Sequence, residues 1–203
     1  MASAAILAGG QATRFGGRDK SALVVEGRRI IDRQIDELLQ VTDDILIVGA
    51  ARHADQGSNE WPAPVVRHVP DRIPDSGPLA GLDAALQAAR DGVVLILGCD
   101  MPFVTAPLLA YLASLAGDRD AVVPRTKRGY HPLCAAYTRR CEAAVQRRLL
   151  ARQLALVGLL DDVRVRVVER HEIEVFGDPD HLLCNVNTPA DYTPIERPAR
   201  YKR

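Results

Sequence analysis

The residues from Gly9 to Lys20 carry the strongest chemical signal in the chain. They read Gly9-Gly10, then Arg14, Gly16-Gly17 and Asp19-Lys20, directly after the apolar run Ala4–Leu7. Glycines let successive backbone N–H groups turn toward an anion at no steric cost. Arg14 and Lys20 add fixed positive charge, so the segment reads as a phosphate cradle at the end of a buried strand. It is neither of the two common glycine-rich phosphate loops. A P-loop places Lys directly after its last Gly, whereas Arg18 and Asp19 stand between Gly17 and Lys20, and the G-x-G opening of a dinucleotide fingerprint is missing.

A second candidate follows the apolar run Val93–Leu97, in Gly98-Cys99-Asp100-Met101-Pro102. Open α/β sheets bind ligands at the carboxyl ends of their strands, so Asp100 is poised to face whatever the first loop holds. A triphosphate needs a divalent cation, and magnesium favours one or two carboxylates plus phosphate oxygens and water. Asp100 fits that ligand role, against the simpler reading of a turn-forming Asp near a proline. Upstream, Asp71 could accept hydrogen bonds from a base edge or act as a turn residue, and the small residues of Ser76-Gly77-Pro78-Leu79-Ala80-Gly81 would let a flat base approach the backbone. His131, before Pro132, reads first as a packed or capping residue. Asn185 and Asn187 alternate across Val186 and would share one face of a strand, either presenting two amides to a polar ligand or capping the Thr188-Pro189 turn.

These residues need a scaffold, and the hydropathy pattern supplies one. Apolar runs of strand length alternate with segments of helical period, which predicts a single-domain, Rossmann-like α/β fold with a mostly parallel central sheet and helices on both faces. The strand candidates are Ala4–Leu7, Ile45–Val48, Val65–Val69, Val93–Leu97, Ala121–Pro124, Leu133–Tyr137, Val163–Val168 and a last short Leu182–Val186. Ile31, Ile35, Leu38 and Leu39 mark the inner face of one helix, Leu79, Leu82, Leu86 and Ala89 that of a second, and Cys141, Ala144, Val145 and Leu149 that of a third. The crossovers of such βαβ units should be right-handed. The stretch from Gly57 to Pro64 reads as a long loop, and the tail from Pro194 as frayed.

Composition narrows the partners. With 26 basic and 26 acidic residues, the chain of 203 has no net field to hold nucleic acid or an anionic membrane, so a small ligand met by local charge is favoured. Arg139, Arg140, Arg147, Arg148 and Arg152 therefore read as a solvated helix face rather than a nucleic-acid stripe. The four cysteines, Cys99, Cys134, Cys141 and Cys184, form no C-x-x-C pair and sit in apolar runs, as expected of reduced, mostly buried thiols in a cytoplasmic protein. No signal segment or membrane-spanning run is apparent.

Taken together and in order, Leu7-Ala8-Gly9-Gly10, Arg14, Gly16-Gly17, Asp19-Lys20, Gly77-Pro78-Leu79-Ala80-Gly81, Cys99-Asp100-Met101-Pro102, His131-Pro132 and Asn185-Val186-Asn187-Thr188-Pro189 resemble the molybdenum cofactor guanylyltransferases of the nucleotidyltransferase superfamily. The Leu-Ala-Gly-Gly start alone marks only the superfamily; the whole ordered set is more specific. The resemblance implies transfer of GMP from GTP to the phosphate of molybdopterin-bound molybdenum, with pyrophosphate released and Mg2+ as cofactor. It implies a nucleotidyltransferase domain over residues 1–193, nucleotide-binding in its first half and pterin-binding in its second, followed by the tail 194–203. Leu7, Ala8, Gly9, Gly10, Lys20, Asp71, Gly77, Gly81 and Asp100 would contact the nucleotide, with Arg14, Lys20 and Asp100 catalytic and Asp100 on the metal. His131, Asn185 and Asn187 would lie on the pterin side. The implied partners are GTP, Mo-molybdopterin and the molybdoenzymes or chaperones that accept the cofactor; the sequence does not fix the oligomeric state, and a monomer is one option. At Gly49 the chain departs from the many members that carry an asparagine there, which leaves a cytidylyltransferase for the same pterin open. A sugar-phosphate nucleotidyltransferase and a non-catalytic nucleotide sensor or carrier are the other readings.

Overall fold

The computed structural model describes residues 1–8, 24–49, 65–70, 73 and 76–186. Among the described residues, ten strands and six α-helices run in the order β1 (Ser3–Leu7), β2 (Val24–Val25), β3 (Arg28–Arg29), α1 (Ile30–Leu38), β4 (Ile45–Val48), β5 (Val66–Val69), α2 (Gly77–Ala88), β6 (Val93–Gly98), α3 (Ala106–Ser114), β7 (Ala121–Thr126), β8 (Gly129–Tyr130), β9 (Cys134–Thr138), α4 (Glu142–Leu150), β10 (Val165–Val168), α5 (Arg170–Ile173) and α6 (Pro179–Leu182). The main sheet has the order β10-β7-β9-β6-β1-β4-β5, with β8 paired to β7 and β2-β3 forming a separate ribbon. All strands on that path run parallel except β9, which is antiparallel to both β6 and β7.

Side-chain alternation along the buried strands builds two apolar layers. On one face Ala4, Ile6, Ile45, Ile47, Leu95 and Leu97 pack with Ile31, Ile35 and Leu38 of α1 and Leu108, Leu109 and Leu112 of α3. On the other, Ala5, Leu7, Leu46, Val48, Val94 and Ile96 pack with Leu79, Leu82 and Leu86 of α2 and Ala144 and Val145 of α4. Each helix therefore buries the stripe its periodicity marks, and helices cover both faces. Leu39 is the exception: α1 ends at Leu38, and Leu39 is its C-cap, more than a third exposed.

The expected strand Leu182–Val186 is not formed. Asp178 accepts a hydrogen bond from the Asp180 amide (3.2 Å) and Pro179 presets the first turn of α6, which carries the chain helically through Leu182. The residues that follow are irregular as far as Val186 and pair with no strand. An argument from strand alternation therefore does not place Asn185, and Asn187 lies outside the described residues.

The arginines around α4 are largely spoken for. Arg139 donates to the Ala89 carbonyl (2.7 Å), Arg140 to Asp120 (3.0 Å) and Arg148 to Asp162 (2.5 Å), as suits a helix face tied to its neighbours. None of the four cysteines forms a disulfide; Cys99, Cys134 and Cys141 are buried and Cys184 is half-buried. Burial pushes the Cys134 and Cys141 thiols up to about 12, so both behave as inert apolar groups. No described helix is long and apolar enough to cross a membrane.

Candidate functional site

β1 lies between β4, reached next among the strands of the main sheet, and β6, reached after the chain has gone out to β5 and returned. That reversal is a topological switch point, and the crevice beyond the strand ends there is where open α/β sheets take ligands. Leu7, the last residue of β1, pairs with Val48 on one side and Gly98 on the other, so the three strand ends are level.

Two of the expected residues form the β1 side. Leu7 is buried and Ala8 half-buried. The Ala8 amide donates to the Val48 carbonyl (2.8 Å), and the Cys99 amide donates to the Leu7 carbonyl at 3.4 Å. The Ala8 N–H is thus turned into the sheet rather than toward a ligand. Gly49 follows β4 with φ 141°, a backbone state that side chains disfavour, and donates to the Val69 carbonyl (3.1 Å). Gly9, Gly10, Arg14, Lys20 and Asp71 lie outside the described residues.

On the β6 side the chain turns at Cys99-Asp100, leaving Asp100 half-buried. Its carboxylate folds back over Gly98: a Cβ at that position would stand 2.9 Å from Asp100 Oδ1. Only a residue without a side chain leaves the carboxylate this seat. Asn185 Nδ2 donates to Asp100 Oδ2 (3.3 Å), and the Val186 amide donates to the Asp100 carbonyl (2.7 Å). The segment after α6 is thereby stitched to the end of β6, which joins the two halves of the expected site across 85 positions of sequence.

Gly77 and Gly81 open α2 in different settings. Gly77 has φ +63°, and a Cβ there would meet nothing within 4 Å. The Cβ position at Gly81 is filled by Leu7, whose methyls lie 3.1 and 3.2 Å away, so Gly81 lets α2 approach β1 closely. His131 sits at the entry to β9, where Leu133 accepts a hydrogen bond from the Gly98 amide (2.8 Å) and brings this segment beside the end of β6. Its Nε2 is 2.8 Å from Thr126 Oγ1. Burial and then the nearby Arg128 lower its pKa, against a smaller pull from Asp180, which favours the neutral ring.

Sequence reasoning passed over Gln34, which contacts the same turn from below. It is 2% exposed on the inner face of α1, and its amide donates to the carbonyls of Gly98 (2.7 Å) and Met101 (3.1 Å). A polar residue interrupting the stripe Ile31, Ile35, Leu38 was the available signal. Gly98, an ordinary-looking strand end, offered none.

A family model described as the MobA-like NTP transferase domain matches residues 4–171. The chain belongs to the MobA-like NTP transferase family. Among its relatives, a molybdenum cofactor guanylyltransferase from Desulfosudis oleivorans is 33% identical, over 94% of this chain and 92% of its own length. A protein from Pelotomaculum thermopropionicum named probable molybdenum cofactor guanylyltransferase is 32% identical, over 94% and 90%. The solved structure of molybdopterin-guanine dinucleotide biosynthesis protein A from Archaeoglobus fulgidus superposes with a TM-score of 0.78 at 23% identity, covering 94% of each chain. This MobA-like NTP transferase thus shares its fold over nearly its whole length.

The donor set also suits a hard cation. Among the described residues no three His, Cys, Asp or Glu side chains converge, so no all-protein metal cage exists there. Asp100, a carboxylate at a strand end seated over Gly98, fits the way magnesium binds: few protein oxygens, the remainder from phosphate and water.

Proposed function

We propose that this protein transfers GMP from GTP to the phosphate of Mo-molybdopterin, forming the guanine dinucleotide cofactor and pyrophosphate. The observation that carries the reading is the Asp100 carboxylate at the switch point, bonded to Asn185, so that a residue assigned to the nucleotide touches one assigned to the pterin. The names of the relatives supply the substrates.

The reaction is an in-line displacement. A pterin phosphate oxygen forms a bond to the α-phosphorus of GTP as the bond to the bridging oxygen breaks, and the electron pair leaves with pyrophosphate. The attacking oxygen is already anionic, so no protein nucleophile is needed and catalysis reduces to positioning and charge stabilisation. In this reading Arg14 and Lys20 hold the phosphates, Asp71 and Gly77 lie on the guanine side, and Asn185 aligns the pterin end with His131 nearby. Asp100 would hold Mg2+, which when bound neutralises charge on the phosphate oxygens. His131, kept neutral by its surroundings, can donate or accept one hydrogen bond without adding charge.

Pyrophosphate release that depends on added Mo-molybdopterin tests the proposal, with GTP, CTP and UTP compared as donors. GTP should be preferred, and Asp100→Ala should lose about 10²-fold or more in turnover, as for loss of one preorganised electrostatic group. Turnover near wild type in that variant would sink the role of Asp100. Nucleotide binding without pyrophosphate release would make the protein a sensor or carrier instead.

A further inference from the structure

Gln34 is the one polar side chain on the buried stripe of α1 that reaches the candidate site's scaffold. Its Nε2 donates to Gly98 (2.7 Å) and Met101 (3.1 Å), the first and last residues of the turn that presents Asp100. Both partners are carbonyls, which can only accept, so the amide must face them with its NH2 group. Among the described residues, its buried Oε1 has no hydrogen-bond partner. Burying an acceptor in that state is disfavoured, a cost that an apolar residue of the same size would avoid. Within the turn the Met101 amide also donates to the Gly98 carbonyl (3.3 Å), the same carbonyl that Gln34 holds.

We infer that Gln34 is a positioning residue that clamps both ends of the Gly98–Met101 turn and so fixes the Asp100 carboxylate toward the metal–nucleotide complex. The inference rests on the proposed role of Asp100. Groups that orient a ligating carboxylate typically influence metal affinity about 10–100-fold. Gln34→Met keeps the volume, removes both donors and removes the buried acceptor, so it separates orientation from packing.

The test measures Mn2+ binding in the presence of a non-hydrolysable GTP analogue, following the free-ion EPR signal, for wild type, Gln34→Met, Asp100→Ala and the double variant. Gln34→Met should weaken Mn2+ binding about tenfold or more, with the thermal midpoint retained, and the double variant should bind no more weakly than Asp100→Ala. Wild-type Mn2+ affinity in Gln34→Met overturns the inference, as does an equal loss when the substitution is added to Asp100→Ala. Wild-type affinity in Asp100→Ala overturns the reading of Asp100 itself, and the clamp with it, which is distinct from a failure of Gln34 alone. Should Gln34→Met melt below the assay temperature, Gln34→Glu serves: its buried, protonated acid can donate to only one carbonyl, so an intermediate loss is expected and full wild-type affinity refutes the clamp.

Discussion

Gly98→Ala should cost activity while leaving stability almost unchanged. The added Cβ would stand 2.9 Å from Asp100 Oδ1, with Leu133 Cβ at 3.4 Å and Leu133 Cδ1 at 3.5 Å. The leucine contacts are tolerable, but Oδ1 must withdraw by about 0.5 Å to reach ordinary contact distance. It is the end of a rotatable side chain, so the retreat is cheap. Alanine in a strand gains about 0.4–1 kcal/mol by restricting the unfolded chain, whereas loss of the Asn185–Asp100 hydrogen bond costs about 0.5–1.5 kcal/mol. These nearly offset, and the thermal midpoint should move by no more than about 2–4 °C. Catalysis is less forgiving, because a misplacement of about 1 Å can cost 10²-fold; half that displacement points to a loss of about tenfold in kcat/KM. Melting by circular dichroism and pterin-dependent pyrophosphate release measure the two quantities on one preparation. Wild-type kcat/KM would refute the reasoning, because the carboxylate's seat over Gly98 would then not matter. A loss of activity accompanied by an equally large loss of stability would refute it too, since the effect would be folding rather than placement.

Two further predictions concern stability and pH. Asp44 is buried at the bottom of the sheet; burial would raise its pKa, but the Arg90 amide (2.9 Å), Ser3 hydroxyl (2.7 Å) and Arg67 guanidinium (2.5 Å) together outweigh that and hold it below the usual carboxylate range. Asp44→Asn should therefore destabilise the protein at pH 7 by about 1.5–3 kcal/mol in urea unfolding, and a change within error would contradict the network's role. The Glu172 pKa is lowered to about 2, first by Arg166, against burial, and then by the Glu169 amide (2.9 Å) and Tyr111 hydroxyl (2.8 Å). Its contribution is complete above the unfolded carboxyl's pKa of about 4.3 and is lost as pH falls through the folded value, so wild type and Glu172→Gln should converge in stability between pH 5 and about pH 2.

The sequence by itself determined the composition of the layers and the kind of chemistry. Ile45–Val48 is a strand over the predicted residues, and Leu79, Leu82 and Leu86 are buried as their spacing requires, because burial periodicity is local information. Asp100 was legible as a strand-end carboxylate for the same reason. The failure at Leu182–Val186 was also local in origin: an apolar run of strand length was read by hydropathy, while the Asp178 cap and Pro179 had already committed the chain to a helical turn. Tertiary structure alone decided which elements meet. It set β9 antiparallel between β6 and β7, brought Asn185 onto Asp100, aimed Gln34 at the turn beneath it, and made Gly98 the open seat for the carboxylate. Strand order and contacts between distant positions are fixed by how whole layers pack, and no run of neighbouring residues encodes them.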